Sequence, residues 1–350
     1  MWSRRGLGRV CASALLSAGL PWVNAQNKAP AKLLPTAGPT TVAVYDKTAF
    51  SNLPLTIAER LGYFAQEQLD VRVREYADLN LSLQAVLSGA AQVFCGPYSS
   101  SLLLHARGQQ FPAFVLQGRA PQIVLGVSLR TMGHFRHLSE LRGKRMGVVA
   151  MGSATHRMAQ IVVESVGLQA RDVQFVALPE AQQAVDAFQS GDVDALCYGD
   201  PVMTLLERDG DLRVVADART VRGSAEVFGG AMPEGCLSAP MGFVKAQPQA
   251  VQAVTNAMVH ALKWLQTAGP SDISKAVPES YFQGDRGIYL AAFSRAREAW
   301  APDGLMPEDG PQTLARVLAR FDDGAQLQRV DLAQTFTNEF ARKAKALYKA

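Results

Sequence analysis

Four short segments of the chain are rich in small and polar residues that could contact a ligand. They are YDKTAFSNLP at 45–54, CGPYSS at 95–100, AMGSATHR at 150–157 and CYGDP at 197–201. Each follows a short apolar run and precedes a run with helical spacing. Because ligands of open α/β sheets bind where strands end and helices begin, the four segments predict loops that hold a small molecule.

The third segment has the composition of an anion-binding helix start. Gly152 permits a tight turn, and Ser153 or Thr155 can cap the helix that follows. The free N–H groups of such a helix start carry about half a positive charge, which suits a carboxylate, a sulfonate or a phosphate. These hydroxyls can also do no more than cap their own helix, which is what such residues do most often, and both interpretations stay open.

The second and fourth segments carry the same ambiguity. Ser99 and Ser100 can cap a helix expected over residues 101–106, and Tyr98 can either pack in the core or stack on a ligand. Asp200 stands at another expected helix start, so it can cap that helix or accept a hydrogen bond from a ligand.

The sequence offers little for catalysis or for a cofactor. None of the five histidines stands in a metal-binding spacing, and the chain has no G-x-S-x-G elbow and no P-loop. Ser153 and His156 are three residues apart, which is more typical of a cap and its neighbour than of a nucleophile and its base. Outside residues 1–25, which contain Cys11, the chain has an odd number of cysteines without zinc spacing, so we predict at least one free thiol, no metal and no cofactor. The three are Cys95, Cys197 and Cys236.

Strand-like and helix-like runs alternate through the first two thirds of the chain, as in βαβ units with a mainly parallel sheet. Residues 84–104 also align with residues 186–206, and both read as helix, Ser-Gly turn, strand, loop and helix. This internal echo predicts two structurally equivalent halves. A last strand is expected at 241–244, after which the chain becomes helical. Amphipathic helices are expected at 248–266, 286–300, 311–320 and 332–348.

The N-terminus and the composition predict an exported globular protein. Residues 1–25 contain three arginines, no acidic residue and an apolar stretch too short to span a bilayer, which is typical of a signal peptide cleaved near Ala25. Residues 26–39 are predicted to be a flexible leader. The 350 residues are 48% hydrophobic and 19% charged, a globular composition whose length suits two lobes. Three of the four net positive charges lie in the signal, so no basic face for nucleic acid is expected.

Three longer segments, FSNLPLTIAERLGYFAQEQLDVRV, LSGAAQVFCGPYSS and LRGKRMGVVAMGSATHR, follow one another along the chain. With them the sequence resembles the periplasmic substrate-binding proteins of transporters for nitrate, sulfonates, taurine and thiamine pyrimidine precursors. The resemblance implies an α/β, two-lobed, type II periplasmic-binding-protein fold, in which each lobe is a mainly parallel sheet flanked by helices, with a helical C-terminal part. It assigns 40–128 and 238–350 to lobe 1 and 129–237 to lobe 2, with crossing strands near 123–129 and 237–244.

The resemblance also implies ligand-binding positions in the four loops. The second loop departs from the group with Cys95 and a bulky Tyr98 where small residues are common, and the fourth has Tyr198 separated from its acid by Gly199. These departures bear on the ligand and not on the fold. Carried over by position, the ligand-binding residues are Phe50, Ser51, Asn52, Tyr98, Ser99, Ser100, Gly152, Ser153, Ala154, Thr155 and Asp200.

By the same resemblance, the chain is expected to be a monomeric periplasmic component of an ABC-type importer, which binds a small molecule and hands it to a membrane permease without catalysis. The serine-rich helix starts favour an organic anion such as a sulfonate or carboxylate. Phe50, Tyr98 and Tyr198 would instead suit a thiamine pyrimidine precursor or another aromatic ligand. Two different functions compete with transport. One is an enzyme of the pyrimidine-synthase type, which shares the fold, and the second is a receptor that presents a ligand to a kinase.

Overall fold

The computed structural model describes residues 38–321 and 327–350. The predicted signal peptide and nearly all of the predicted leader lie outside the described residues. The strands are β1 (Thr40–Tyr45), β2 (Val71–Tyr76), β3 (Val93–Pro97), β4 (Ala113–Leu116), β5 (Ile123–Ser128), β6 (Arg145–Val148), β7 (Gln174–Ala177), β8 (Ala195–Gly199), β9 (Leu212–Asp217) and β10 (Gly235–Ser238).

Helices separate most of the strands and make up the C-terminal part. The α-helices are α1 (Leu53–Arg60), α2 (Tyr63–Gln66), α3 (Leu79–Leu87), α4 (Tyr98–Ala106), α5 (Ala154–Glu164), α6 (Ala181–Ser190), α7 (Val202–Arg208), α8 (Val221–Phe228), α9 (Met241–Ala246), α10 (Pro248–Thr267), α11 (Pro270–Ala276), α12 (Arg286–Ala296), α13 (Gly310–Ala319) and α14 (Glu339–Tyr348). Short 3₁₀ helices lie at Phe50–Asn52, Leu138–Leu141, Ala170–Asp172, Glu279–Phe282, Arg297–Ala299, Leu327–Arg329 and Leu332–Gln334.

The strands form two five-stranded sheets of the same topology. The order is β2-β1-β3-β10-β4 in the first sheet and β7-β6-β8-β5-β9 in the second. One strand in each sheet, β10 or β5, runs against the other four. The prediction of two lobes with mainly parallel sheets is therefore confirmed. The echoing segments occupy corresponding places, because α3-β3-α4 matches α6-β8-α7.

Sheet membership differs from the predicted lobe boundaries. Strand β5, which was assigned to the end of lobe 1, pairs in the second sheet, and β10 begins at Gly235 in the first. The chain therefore passes between the sheets at residues 117–122 and again before Gly235. The apolar composition of a strand shows that it is buried, but it does not show which sheet the strand joins.

The strand predicted at 241–244 was wrong, because these residues begin helix α9. The backbone N–H groups of Phe243 and Val244 both donate to the carbonyl oxygen of Pro240, so the chain turns here and pairs with no strand. A short apolar run such as MGFV has no periodicity that distinguishes a buried strand from a helix, so the sequence predicts a strand where the structure has a helix.

The C-terminal part is helical as predicted, except that the helix expected at 332–348 begins only at Glu339, and it supports the first binding loop. Helix α10 packs against α1, α2 and α14 beside the first sheet. The side chain of Trp300 is fully buried there, and its Nε1 donates to the carbonyl oxygen of Phe50 at 3.1 Å. A tryptophan 250 residues away in sequence therefore fixes the loop that follows β1.

Candidate functional site

A cleft of about 770 Å³ lies between the carboxyl ends of strands from both sheets. Its walls come from the segments after β1 and β2 on one side and after β6, β7 and β8 on the other, together with the chain between β4 and β5. Of the predicted site residues, the structure places Phe50, Ser51, Thr155 and Asp200 along this cleft. The other seven are not among its lining residues.

The first loop is held by contacts that its sequence does not reveal. Phe50 is 4% exposed, and its ring lies 4.6 Å from that of Tyr289 in the core. The Asn52 Nδ2 donates to the carbonyl oxygens of Tyr45 and Asp46 at 3.1 and 2.8 Å. Asn52 thus fixes the shape of the loop, while its neighbour Ser51 lines the cleft.

The second loop contributes to the core and not to this cleft. Helix α4 begins three residues earlier than predicted, with Pro97 as its N-cap, so Ser99 and Ser100 lie inside its first turn and do not cap it. Both serines are buried, and Tyr98 is fully buried with its hydroxyl hydrogen-bonded to that of Thr335. Tyr98 therefore packs in the core, and it offers no ring to a ligand in this cleft.

The third loop caps helix α5, as the simpler of the two interpretations of its hydroxyls expects. The Ser153 Oγ accepts from the backbone N–H of His156 at 3.3 Å. The Thr155 Oγ1 accepts from the backbone N–H of Val149 at 3.0 Å and lies 2.8 Å from the Ser153 Oγ. Gly152 supplies the left-handed turn at φ 75°. Thr155 lines the cleft, but its hydroxyl already has two protein partners.

The same loop argues against the Ser153–His156 pair as a nucleophile and its base. The imidazole Nδ1 of His156 accepts from the backbone N–H of Gly152 at 2.9 Å, whereas Ser153 meets only the main chain of His156. Burial lowers the pKa of the His156 imidazole, with Arg157 adding to the effect. This histidine is therefore a neutral acceptor inside the loop.

Asp200, the acid of the fourth loop, is part of an ion cluster behind the cleft wall. Its Oδ1 accepts from the backbone N–H of Thr204 at 2.9 Å, and its Oδ2 lies 3.6 Å from the Nη1 of Arg219. The carboxylate is fully buried, and burial raises its pKa although Arg219 acts in the opposite direction. Arg219 also pairs with Asp217 and Glu207, at 2.6 and 2.8 Å.

The charges that face the cleft come mostly from residues that sequence reasoning missed. All four charged lining residues carry carboxylates, and no lysine, arginine or histidine lines the cleft in the described part of the chain. Tyr45, Tyr76 and Tyr198 supply aromatic surface. The ends of β2 and β7 also line the cleft, although the sequence predicts no binding loop there. The lining carboxylates are Asp46, Glu75 and Glu180, together with Asp200, whose charge is paired with Arg219 behind the wall.

Two tyrosines, Tyr45 and Tyr198, line opposite sides of the cleft. The Tyr198 hydroxyl donates to the carbonyl oxygens of Leu178 and Pro179, each at 3.1 Å. Burial, followed by the charges of Glu180 and Asp46, raises the pKa of Tyr198 to about 12. Burial and the same two carboxylates also raise the pKa of Tyr45. Asp46 on one side of the cleft and Glu180 on the other therefore contribute negative potential at both tyrosines.

Outside the cleft, the described residues show neither a metal cluster nor a membrane-spanning helix. Among residues 38–321 and 327–350, histidine, cysteine, aspartate and glutamate form no group of three or more that could hold a metal ion. Within the same residues, the helices fall short of the length and apolar character needed to cross a membrane.

Two sheets of equal topology with a ligand-sized cleft at their carboxyl ends define the two-lobed fold of the periplasmic binding proteins. The profile of the NMT1/THI5-like family matches residues 49–270, and the chain belongs to this family. A solved protein of Bordetella bronchiseptica RB50 is 43% identical, with 89% of this chain and 98% of that chain covered and a TM-score of 0.79.

Two more distant structures share the fold. The alkanesulfonate-binding protein SsuA of Xanthomonas axonopodis pv. citri, solved with MOPS, is 20% identical, with 85% of this chain and 98% of its own covered and a TM-score of 0.62. The periplasmic nitrate-binding protein NrtA of Synechocystis PCC 6803 is 12% identical, with 89% of both chains covered and a TM-score of 0.66.

Proposed function

We propose that this protein is the solute-binding component of an ABC-type importer, which captures a small molecule in the cleft and passes it to a membrane permease. The observation that carries the proposal is the cleft itself, because its walls come from the carboxyl ends of strands in both sheets. A ligand held there contacts both lobes at once, so binding stabilises the closed arrangement. The family and the names of the solved neighbours support the same role.

The proposal includes export to the periplasm as a monomer, with no nucleic-acid partner and no catalysis. The N-terminal sequence supports export, as do solved neighbours named as periplasmic. The third loop argues against nucleophilic catalysis, since the hydroxyl of Ser153 is a helix cap. The three described thiols are buried and free, so they offer no exposed cysteine motif of the kind that a pyrimidine synthase would use.

The walls of the cleft support one class of ligand better than the other. The organic anion expected from the serine-rich helix starts has the SsuA neighbour in its favour. However, the hydroxyls of Ser153 and Thr155 are already engaged, and every charge on the described walls is negative. An aromatic ligand matches the three tyrosines, and this second class is therefore the better supported.

The test is a thermal-shift screen of the full-length protein against sulfonates, carboxylates, pyrimidines and aromatic amides. A ligand at about 100 times its Kd stabilises the folded state by about 2.7 kcal/mol, which is a clear shift in melting temperature. Small-angle scattering with and without the hit is expected to show a more compact protein when the ligand is bound. If no compound in the screen shifts the melting temperature, the proposal fails.

A matched pair of variants ties the hit to this cleft. Ala181 lines the cleft at the start of α6, whereas Ala65 is exposed and does not line it. The variant A181W is expected to fill the cleft and abolish binding, and A65W is expected to bind like the original protein. Unchanged binding by A181W would place the ligand elsewhere.

A further inference from the structure

Gln122 is a buried amide that lines the cleft where the chain passes between the two sheets. It is 5% exposed, it directly precedes β5, and its backbone is left-handed at φ 59°. Its backbone N–H donates to the carbonyl oxygen of Ala218 at 3.1 Å, which fixes the residue in place. No pattern in the sequence singles out this position.

Neither polar atom of the Gln122 side chain has a hydrogen-bond partner in the described part of the chain. Gln122 is the only glutamine there with both its Nε2 and its Oε1 buried and unpaired. Gln117, the nearest comparison, leaves its Oε1 unpaired but donates from Nε2 to the Cys95 Sγ, and it does not line the cleft. A buried amide without partners costs about 1–3 kcal/mol, so its partner is expected to come from what occupies the cleft.

The walls around Gln122 restrict what that partner can be. The Glu180 carboxylate has no ion-pair or hydrogen-bond partner among the described residues. Together with Asp46, it raises the pKa of both Tyr45 and Tyr198. Glu75 accepts only a backbone N–H, from Lys47 at 2.9 Å, while the Lys47 ammonium pairs with Glu59 away from the cleft. Glu75 and Glu180 are exposed, but an anion in the cleft would still meet carboxylates of like charge and no cation among the lining residues.

We propose that Gln122 is a specificity-determining residue, and that the cleft takes an uncharged or cationic planar molecule with an amide-like edge: a donor beside an acceptor, as in an amide or a lactam, or donors alone, as in an amidinium. This inference rests on the proposed function. The Gln122 carboxamide offers one acceptor and two donors, so it can pair with an amide or lactam edge through two hydrogen bonds and can accept from an amidinium. The Gln122 amide supplies the pairing, the tyrosines pack on the ring, and the carboxylates favour N–H groups and repel anions.

A series of four compounds with one ring isolates the head group. Benzamide, benzamidine, benzoate and benzenesulfonate are titrated against the full-length protein by calorimetry, at concentrations up to about 10 mM, where a millimolar ligand fills its site. The amide and the amidine are expected to bind and the two anions are not. Binding by the anions alone would overturn the inference and leave the proposed function standing.

Variants at Gln122 test the residue itself. The variant Q122L is expected to weaken the binding of both benzamide and benzamidine by about tenfold or more, because the hydrogen bonds to a buried partner are lost. The variant Q122E is expected to weaken the amide but keep or tighten the amidine, a reversal that a merely structural role would not produce. Gln68 has the same left-handed backbone at φ 56° and lies outside the cleft, so Q68L is the matched control.

Each outcome of these titrations has a distinct meaning. If Q122L binds both probes as Q68L does, Gln122 does not read the ligand and the inference fails. If Q122L does not fold, the amide-to-amidine ratio of Q122E decides, and an unchanged ratio overturns the inference. If none of the four compounds binds, the inference fails, while a hit in the broader screen would still support the proposed function.

Discussion

Replacing Arg219 by methionine is expected to destabilise the second lobe severely, because it leaves a fully buried carboxylate without its cation. The Nη1 of Arg219 lies 3.6 Å from the Oδ2 of Asp200, and Arg219 itself is 4% exposed. At this distance the attraction is about 5 kcal/mol for an effective dielectric constant of about 20. Removing one partner of a buried pair costs about 3–5 kcal/mol in measured cases, and we expect R219M to fall in this range at pH 7.

The change of the R219M stability deficit with pH provides a second, independent test of the prediction. Without Arg219, the pKa of Asp200 rises further above its unfolded value, so the folded variant holds this proton more tightly than the unfolded chain. Stability then falls as the pH rises through that window, and the deficit against the original protein is largest at pH 7 and shrinks towards pH 4. Urea unfolding at both pH values measures it.

Two further variants complete this experiment. Arg222 is an exposed arginine paired with Glu226 one helical turn along the chain, so R222M is the matched control and is expected to change stability little. Adding D200N to R219M removes the unpaired charge and is expected to restore part of the loss. A cost of R219M no greater than that of R222M, or a deficit that does not depend on pH, would refute the assignment of Arg219 as the counter-ion of Asp200.

The capping loop, the N-terminus and the thiols each allow a separate test. The double variant S153A/T155A is expected to lose about 0.5–2 kcal/mol of folding free energy with unchanged ligand affinity, because both hydroxyls serve backbone N–H groups; a tenfold loss of affinity in calorimetry would instead assign them to recognition. Mass spectrometry of periplasmic material is expected to find a chain that starts at Gln26, and an intact Met1 would contradict this. A thiol reagent is expected to label the three described cysteines, Cys95, Cys197 and Cys236, only after unfolding, because all three are buried and burial raises the pKa of each thiol, for Cys95 to about 12. Labelling of the native protein would instead show an exposed thiol.

The sequence predicts the order of strands, loops and helices along the chain better than it predicts contacts between residues that are distant in sequence. The loops after β1 and β8 were found because an apolar run followed by small polar residues is a local signal. Tyr98 could not be assigned, since its partner Thr335 lies 237 residues away and its helix begins right after Pro97, a start that the serines after it concealed. Gln122 gave no signal, because neither a left-handed backbone nor an unpaired amide can be read from residue types.

The position of Gln122 connects recognition with movement between the lobes. It ends one of the two segments that join the sheets, and β5, which it precedes, is the reversed strand of the second sheet. A ligand that pairs with Gln122 therefore contacts the connection between the lobes as well as their walls. A ligand shifts a conformational equilibrium only by its differential affinity for the two states. Under the proposed function, we therefore expect closure to be favoured by contacts at Tyr45 on one side of the cleft and Tyr198 on the other. If the lobes close as proposed, Gln122 stays on the connection between them, and we therefore expect its pairing to add affinity in both arrangements and to select the ligand before closure.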